Sequence, residues 1–158
     1  MPTGPAARIN DMTVHGSPLV PGPPSSNVFI GGQPAWLGMT AAAAAALTKA
    51  ITDGLKDVAE KTAANTAAAG TPAATKTAKD LLDAQTKLVD DATSLMAGGM
   101  SINVCPLFPL PHVQGVVIAP SQTVFINGWG ACRVGDTIQE VTAVNAIATG
   151  LPTVIIGG

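Results

Sequence analysis

The sequence predicts a small, mainly β body built from three strand–turn repeats, with an antiparallel α-helical hairpin inserted between the first two repeats. A run of β-branched or aromatic residues that stops at glycine is typical of a short buried strand followed by a tight turn. Such a run occurs three times, at residues 28–32, 124–128 and 154–158 (VFIGG, VFING and VIIGG). Three copies of one strand–turn unit in a short chain indicate a repeat architecture.

A second phrase accompanies the strands. Arginine and aspartate lie three residues apart in AARIND (residues 6–11) and again in ACRVGD (131–136), and PAWLGM (34–39) resembles a copy without the two charges. We expect each arginine–aspartate pair to tie a turn together through charge-assisted hydrogen bonds rather than to act in catalysis.

The spacing of the strand runs locates an insertion. Val124 and Val154 are 30 residues apart, whereas Val28 and Val124 are 96 apart, an excess of 66 residues. The segment between them that differs in composition has about this length. The sequence therefore predicts a discontinuous β domain of residues 1–39 and 101–158, interrupted by an inserted domain of residues 40–100.

The insertion is predicted to be helical. Residues 40–68 and 72–97 are rich in alanine, lysine, leucine and aspartate, and apolar residues recur every three or four positions over 47–58 and every seven over 81–95. Gly70-Thr71-Pro72 supplies a stop, a cap and a first-turn proline between the two helices. We expect an autonomous hairpin with an internal apolar stripe, whose replacement by a linker leaves the β body folded. Either a stalk packed on itself or a handle for a partner fits this pattern.

Composition restricts the partners of the chain. The net charge is −2, which disfavours a nucleic-acid-binding surface, and 13 of the 18 charged residues lie in the insertion. The chain is 47% hydrophobic, so we expect the charge-poor β body to bury one face against a partner.

Targeting signals are not visible in the sequence. The first residues lack the basic and apolar regions of a signal peptide, residues 40–48 are too short to span a bilayer, and residues 101–131 are interrupted by prolines. We therefore expect a cytoplasmic protein without stable membrane insertion. In that compartment Cys105 and Cys132 are expected to be thiols or metal ligands rather than a disulfide.

Four side chains could bind a soft metal ion. No Ser-His-Asp, Cys-His or phosphate-binding arrangement is visible, and no paired-cysteine zinc-finger spacing occurs. A tetrahedral zinc site would use most of the histidines and cysteines in the chain, which are His15, Cys105, His112 and Cys132.

Aligning the repeats adds an acidic candidate to this set. His15 lies four residues after Asp11, and Glu140 lies four residues after Asp136. His112 and His15 precede their strand runs by 12 and 13 residues, so both histidines and Glu140 take similar positions around a pseudo-threefold axis. Isolated polar side chains in turns are the alternative interpretation of these residues.

These motifs resemble the PAAR-repeat proteins. The shared features are the name-giving PAAR at residues 5–8, RIND followed by His15-Gly16, the strand run used three times, Cys105-Pro106, Pro111-His112 and RVGD at 133–136. Residues 6–15 also resemble the "prePAAR" phrase of effectors that are loaded by dedicated chaperones. The likeness covers residues 1–39 and 101–158.

The resemblance implies a fold and a function. It implies a small β cone with threefold pseudo-symmetry that sits as a monomer on a trimeric VgrG-type spike of a type VI secretion system or related injection device. It also implies a zinc ion near the tip, with His15, Cys105 and His112 as ligands. Glu140 stands where many members have a last cysteine, which makes it the leading fourth ligand, with Cys132 or water as alternatives.

The resemblance leaves the role of the hairpin open. We expect a non-enzymatic spike tip that is cytoplasmic before assembly and then secreted or injected with the spike. The alternative is a delivery module that recruits an effector or chaperone through the hairpin or the prePAAR-like phrase.

Overall fold

Short strands and two long helices make up the computed structural model, which describes residues 2–20, 25–98, 100–105 and 113–158. Within these residues the strands are β1 (Gly4–Ala6), β2 (Phe29–Ile30), β3 (Gln33–Pro34), β4 (Asn103–Cys105), β5 (Val113–Val117), β6 (Phe125–Ile126), β7 (Trp129–Gly130), β8 (Thr137–Glu140), β9 (Val144–Ala146) and β10 (Leu151–Ile156), and the helices are α1 (Ala41–Ala67) and α2 (Ala74–Met96). The predicted fold class, a β body carrying an inserted helical hairpin, is confirmed.

Each of the three strand runs forms one arm of a two-stranded antiparallel ladder. β2 pairs with β3 and β6 with β7, while β10 pairs with β1. The turns Gly31-Gly32 and Asn127-Gly128 have positive φ at both positions (56° and 81°, 54° and 83°). Two-residue turns with this backbone are of type I′ and favour glycine and asparagine, which explains why these two runs end as they do.

The second repeated phrase forms a closed ring. Its three segments are residues 6–8, 35–37 and 131–133. The backbone N–H of Ala7 donates to the carbonyl of Cys132 (2.9 Å), that of Cys132 to Trp36 (3.0 Å) and that of Trp36 to Ala7 (3.0 Å). Each segment thus donates to one neighbour and accepts from the other, which produces the pseudo-threefold symmetry. The uncharged copy at 34–39 takes the third place in the ring.

In two of the three repeats an arginine–aspartate pair closes the turn after the ring. The Arg8 N–H and Nε donate to Asp11 Oδ2 (2.8 and 3.1 Å). The Arg133 N–H donates to Asp136 Oδ2 (3.0 Å) and its Nε to Oδ1 (2.9 Å). Burial raises the pKa of Asp136, although its contacts with Arg133 act in the opposite direction. The predicted structural role of these pairs is confirmed by these contacts.

In the repeat that contains the uncharged copy, residues 34–39, the turn after the ring is replaced by the helical insertion. The Leu37 N–H, equivalent to that of Arg8, donates to the hydroxyl of Ser101 (3.0 Å), and the Ser101 N–H donates to the Leu37 carbonyl (3.1 Å). Thr40 stands where the other repeats have aspartate, and its side chain caps α1 by accepting the Ala43 N–H (3.3 Å). The two ends of the insertion therefore lie side by side.

The part of the hairpin next to the β body, residues 41–58 and 84–96, is called the root. It shares a hydrophobic core with the β body. The buried cluster comprises Met39, Ala44, Leu47, Ile51, Leu88, Ala92, Met96, Met100, Val116 of β5 and Val141 after β8. The expectation of a purely internal apolar stripe is therefore wrong for the root, since the stripe also packs on the β body. The stripe packs on the β body because the helices begin and end directly beside an apolar β surface, which includes Val116 and Val141.

Farther from the body the two helices contact each other. A Cβ atom at Gly54 would lie 2.7 Å from Leu88 Cδ1, so the helices cross closely at this glycine. Thr77 Oγ1 donates to Asn65 Oδ1 (3.1 Å) near the far end. Exposed pairs four residues apart line the surface, at Lys49–Asp53, Lys76–Asp80, Lys79–Asp83 and Lys87–Asp91. In the described part of the chain, neither helix combines the length and hydrophobicity needed to cross a bilayer.

Candidate metal centre

Beyond the ring, each repeat continues into a segment that we call an apical segment. In the described residues these are 12–18, 100–105 with 113–116, and 137–146. Equivalent backbone hydrogen bonds close them, from Asn10 to Leu19 (2.9 Å), Met39 to Val117 (2.8 Å) and Gly135 to Ile147 (2.9 Å). Since the chain runs through the ring in extended form, the apical segments and the two-stranded ladders lie on opposite sides of it.

One candidate ligand comes from each apical segment. The ligand atoms of His15, Cys105 and Glu140 all lie within 4.8 Å of one another. His15 Nδ1 is 3.5 Å from Cys105 Sγ and 3.4 Å from Glu140 Oε2. Cys105 and Glu140 are buried, and His15 is partly exposed at the mouth of the group. The pseudo-threefold fold thus converges three different donor types on one point.

The two separations measured from His15 Nδ1 fit a tetrahedral metal ion. With Zn–S about 2.3 Å and Zn–N or Zn–O about 2.0–2.1 Å, tetrahedral angles place sulfur about 3.6 Å from nitrogen and nitrogen about 3.3–3.4 Å from oxygen. The distances in the structure agree with both values to about 0.1 Å. Thiolate, imidazole and carboxylate are ordinary zinc ligands, so the residues present fit this ion in chemistry as well as in spacing.

The same contacts differ from those of the usual catalytic cysteine–histidine pair. In such a pair one ring nitrogen of histidine activates the cysteine, and the orienting group binds the other nitrogen. Here Cys105 Sγ and Glu140 Oε2 both face Nδ1 of His15. One nitrogen cannot hydrogen-bond well to both groups, whereas all three atoms can bind one ion.

Gly115 makes room for the carboxylate. β5 lies between β4, which ends at Cys105, and β8, which ends at Glu140, and Gly115 pairs directly with Glu140. A Cβ atom at this glycine would lie 2.8 Å from Glu140 Cγ and 2.6 Å from Ile138 Cγ2. Because that space is left open, the side chain of Glu140 can reach towards the other ligands.

Gly115→Ala is expected to displace Glu140 and weaken metal binding. The added methyl group overlaps the stem of the carboxylate and costs about 1–3 kcal/mol in unfolding free energy, as overpacking commonly does. Zinc affinity and the thermal midpoint are the measurements. Gly157→Ala is the matched control, because its Cβ would meet only Thr3 Cγ2, at 3.9 Å. Unchanged zinc affinity in Gly115→Ala would contradict the role given to this glycine.

Asn145 is the other residue that sequence reasoning missed. It lies in β9, is 3% exposed and contacts both Glu140 and the backbone of His15. Its partners are five residues and 130 residues away in sequence. No motif links positions this far apart, so only the three-dimensional structure brings Asn145 to the site.

The remaining predicted ligands lie elsewhere or beyond the described residues. Cys132 is buried in the ring, in a core cluster with Ala7 and Trp36. Burial raises the pKa of its thiol well above the ordinary value, which favours the protonated form and a packing role. His112 falls outside the described residues, so its place as a ligand stays a prediction.

Comparison with known proteins gives one family match, to part of the chain. Residues 109–158 match the family model of the PAAR motif. This segment includes β5 to β10, the ring segment 131–133 and the candidate ligand Glu140. Over these residues the match confirms the resemblance that the sequence motifs predicted. No curated protein and no solved structure gives a significant match to the chain.

Proposed function

We propose that this chain is a PAAR-repeat protein and acts as a non-enzymatic, metal-stabilised tip that caps a trimeric VgrG-type spike of a contractile secretion apparatus. One observation carries the proposal: an exposed apolar side chain stands at the same place in each repeat, on the side of the ring away from the candidate metal centre. The family match and the pseudo-threefold ring support the same conclusion.

The three apolar residues form what we call the base triad. Phe29, Phe125 and Ile155 are 59%, 61% and 60% exposed. They occupy one register, opposite Pro34, Gly130 and Pro5 in their strand pairs. Large apolar side chains arranged this way favour burial against a partner. A partner with three equivalent subunits can offer each of them an equivalent pocket.

Charge plays little part in this surface. The sequence of the β body contains only five charged residues, and each is paired or buried: Arg8 with Asp11, Arg133 with Asp136, and Glu140 at the candidate metal centre. Docking of the base should therefore depend on apolar and backbone contacts. We expect spike binding to change little with ionic strength, because few exposed charges are available for salt to screen.

Zinc has a structural role in this proposal. The proposed ligands are His15, Cys105, His112 and Glu140, and the three described ones come from three different apical segments. One ion would tie these segments together at the apex, in addition to the apolar contacts that they already make. Small domains commonly gain stability from such a staple, because their core alone is limited.

Charged substitutions in the base triad test the proposed interface. Phe29→Asp, Phe125→Asp and Ile155→Asp should each weaken binding to the spike trimer by about tenfold or more, since burying one apolar side chain contributes about 1.5–3 kcal/mol. Pull-down and titration with the purified trimer measure the effect. Leu82→Asp is the matched control, because Leu82 is also 61% exposed but lies on α2. Wild-type affinity in all three variants would exclude the triad as the interface.

The second candidate function is effector or chaperone recruitment through the hairpin. It is favoured by the distal half of the hairpin, which extends beyond the core shared with the β body. Replacing residues 59–83 with a short linker removes this half and retains the root. Loss of cargo with intact spike binding would assign recruitment to it.

A further inference from the structure

We propose that Asn145 is the positioning residue of the metal centre, which orients Glu140 as a single-oxygen ligand and locks the segment carrying His15 onto β9. The inference rests on the proposed zinc-binding role of the centre. It assigns Asn145 no direct contact with the metal ion.

The contacts of Asn145 join two apical segments. Its Nδ2 donates to Glu140 Oε1 (2.8 Å), and its Oδ1 accepts the backbone N–H groups of His15 (3.2 Å) and Ala146 (2.8 Å). The Val14 N–H also donates to the carbonyl of Ala146 (2.9 Å), so the His15 segment runs along the edge of β9. One buried amide therefore sets the position of two of the candidate ligands.

The orientation of the amide follows from its neighbours. In the opposite orientation its oxygen would face the carboxylate of Glu140, and its NH₂ group would face two N–H donors. Both contacts would be repulsive. Only the orientation in the structure satisfies all three partners, and a side chain without both a donor and an acceptor cannot replace it.

The amide also determines which carboxylate oxygen is presented to the site. Oε1 of Glu140 accepts the hydrogen bond from Asn145, while Oε2 faces Nδ1 of His15 at 3.4 Å. Hydrogen bonds from outer residues fix the direction of metal ligands and commonly change metal affinity by 10–100-fold. Asn145 thus makes Glu140 a ligand through one oxygen at the distance that a tetrahedral ion requires.

Asn145→Ala is expected to lower zinc affinity by about 10–100-fold, measured on the full chain by competition with a chelator of known affinity. The ligand-field spectrum of the Co²⁺-loaded protein should also change, because the carboxylate is no longer held in one orientation. Ser121→Ala is the matched control: Ser121 is buried and accepts backbone hydrogen bonds from Thr123 and Val124, on the side of the ring away from the metal centre. It should reduce stability without changing zinc affinity or the Co²⁺ spectrum.

Asn145→Gln keeps the test informative if the alanine variant does not fold. It retains the amide but places it one methylene too far from its partners. We therefore expect a lower zinc affinity and an altered Co²⁺ spectrum. Wild-type affinity and spectrum in a folded Asn145 variant would overturn the positioning role while leaving the metal centre intact. A wild-type chain that binds neither zinc nor Co²⁺ would overturn the metal centre and, with it, the positioning role of Asn145.

Discussion

Replacing residues 41–99 with a short Gly-Ser linker is expected to unfold the β body, whereas replacing only residues 59–83 is expected to leave it folded. The full replacement uncovers Met39, Met100, Val116 and Val141, which are buried against the hairpin root. Each of these side chains contributes about 1.5–3 kcal/mol when buried, and a small domain is stable by only about 5–15 kcal/mol. The loss is therefore comparable with the whole stability of the body.

The shorter replacement is the control for this prediction. Residues 59–83 lie beyond Gly54 and Leu88, where the helices cross, so the root and its contacts with β5 stay in place. Circular dichroism and thermal unfolding distinguish the two variants by their β signal and midpoint. A folded 41–99 replacement with an unchanged midpoint would contradict this prediction. It would show that the uncovered apolar side chains of the β body can pack on one another without the hairpin.

The sequence predicted the repeats well because each repeat contains short, contiguous sequence patterns. Two of the three strand runs end at turns that require positive φ, and the ring segments carry a recognisable phrase. The helical periodicity also predicted both helices. It could not show that the root faces Val116 and Val141, because the period of a helix identifies an apolar face and not the surface it packs on.

The candidate site was predictable to a different extent for each residue. Aligning the repeats placed Glu140 at the position of His15, and these two side chains do face each other in the structure. Cys105 was a candidate because thiolates bind soft metals, and the family resemblance implied it as a ligand. Gly115 and Asn145 could not be found, because their roles depend on strand register and on contacts between segments far apart in sequence.

Removal of zinc is expected to be the change that destabilises the apical segments most. Purified protein should contain one zinc per chain, and His15→Ala, Cys105→Ser and Glu140→Ala should each lose most of it. Apparent binding free energies of structural zinc reach about 10–16 kcal/mol in small domains, so chelation should lower the thermal midpoint markedly. Acidification should also release the ion, because protons compete with the metal for thiolate, imidazole and carboxylate.

Elemental analysis combined with thermal unfolding makes this prediction specific. Cys132→Ser is the matched control, since Cys132 is equally buried but packs in the ring with Ala7 and Trp36. It should retain zinc, whereas His112→Ala should lose it if His112 completes the tetrahedron. A wild-type protein without zinc would remove the metal centre from the proposal. Zinc that survives Glu140→Ala but not Cys132→Ser would place the ion in the ring, because Cys132 packs there with Ala7 and Trp36.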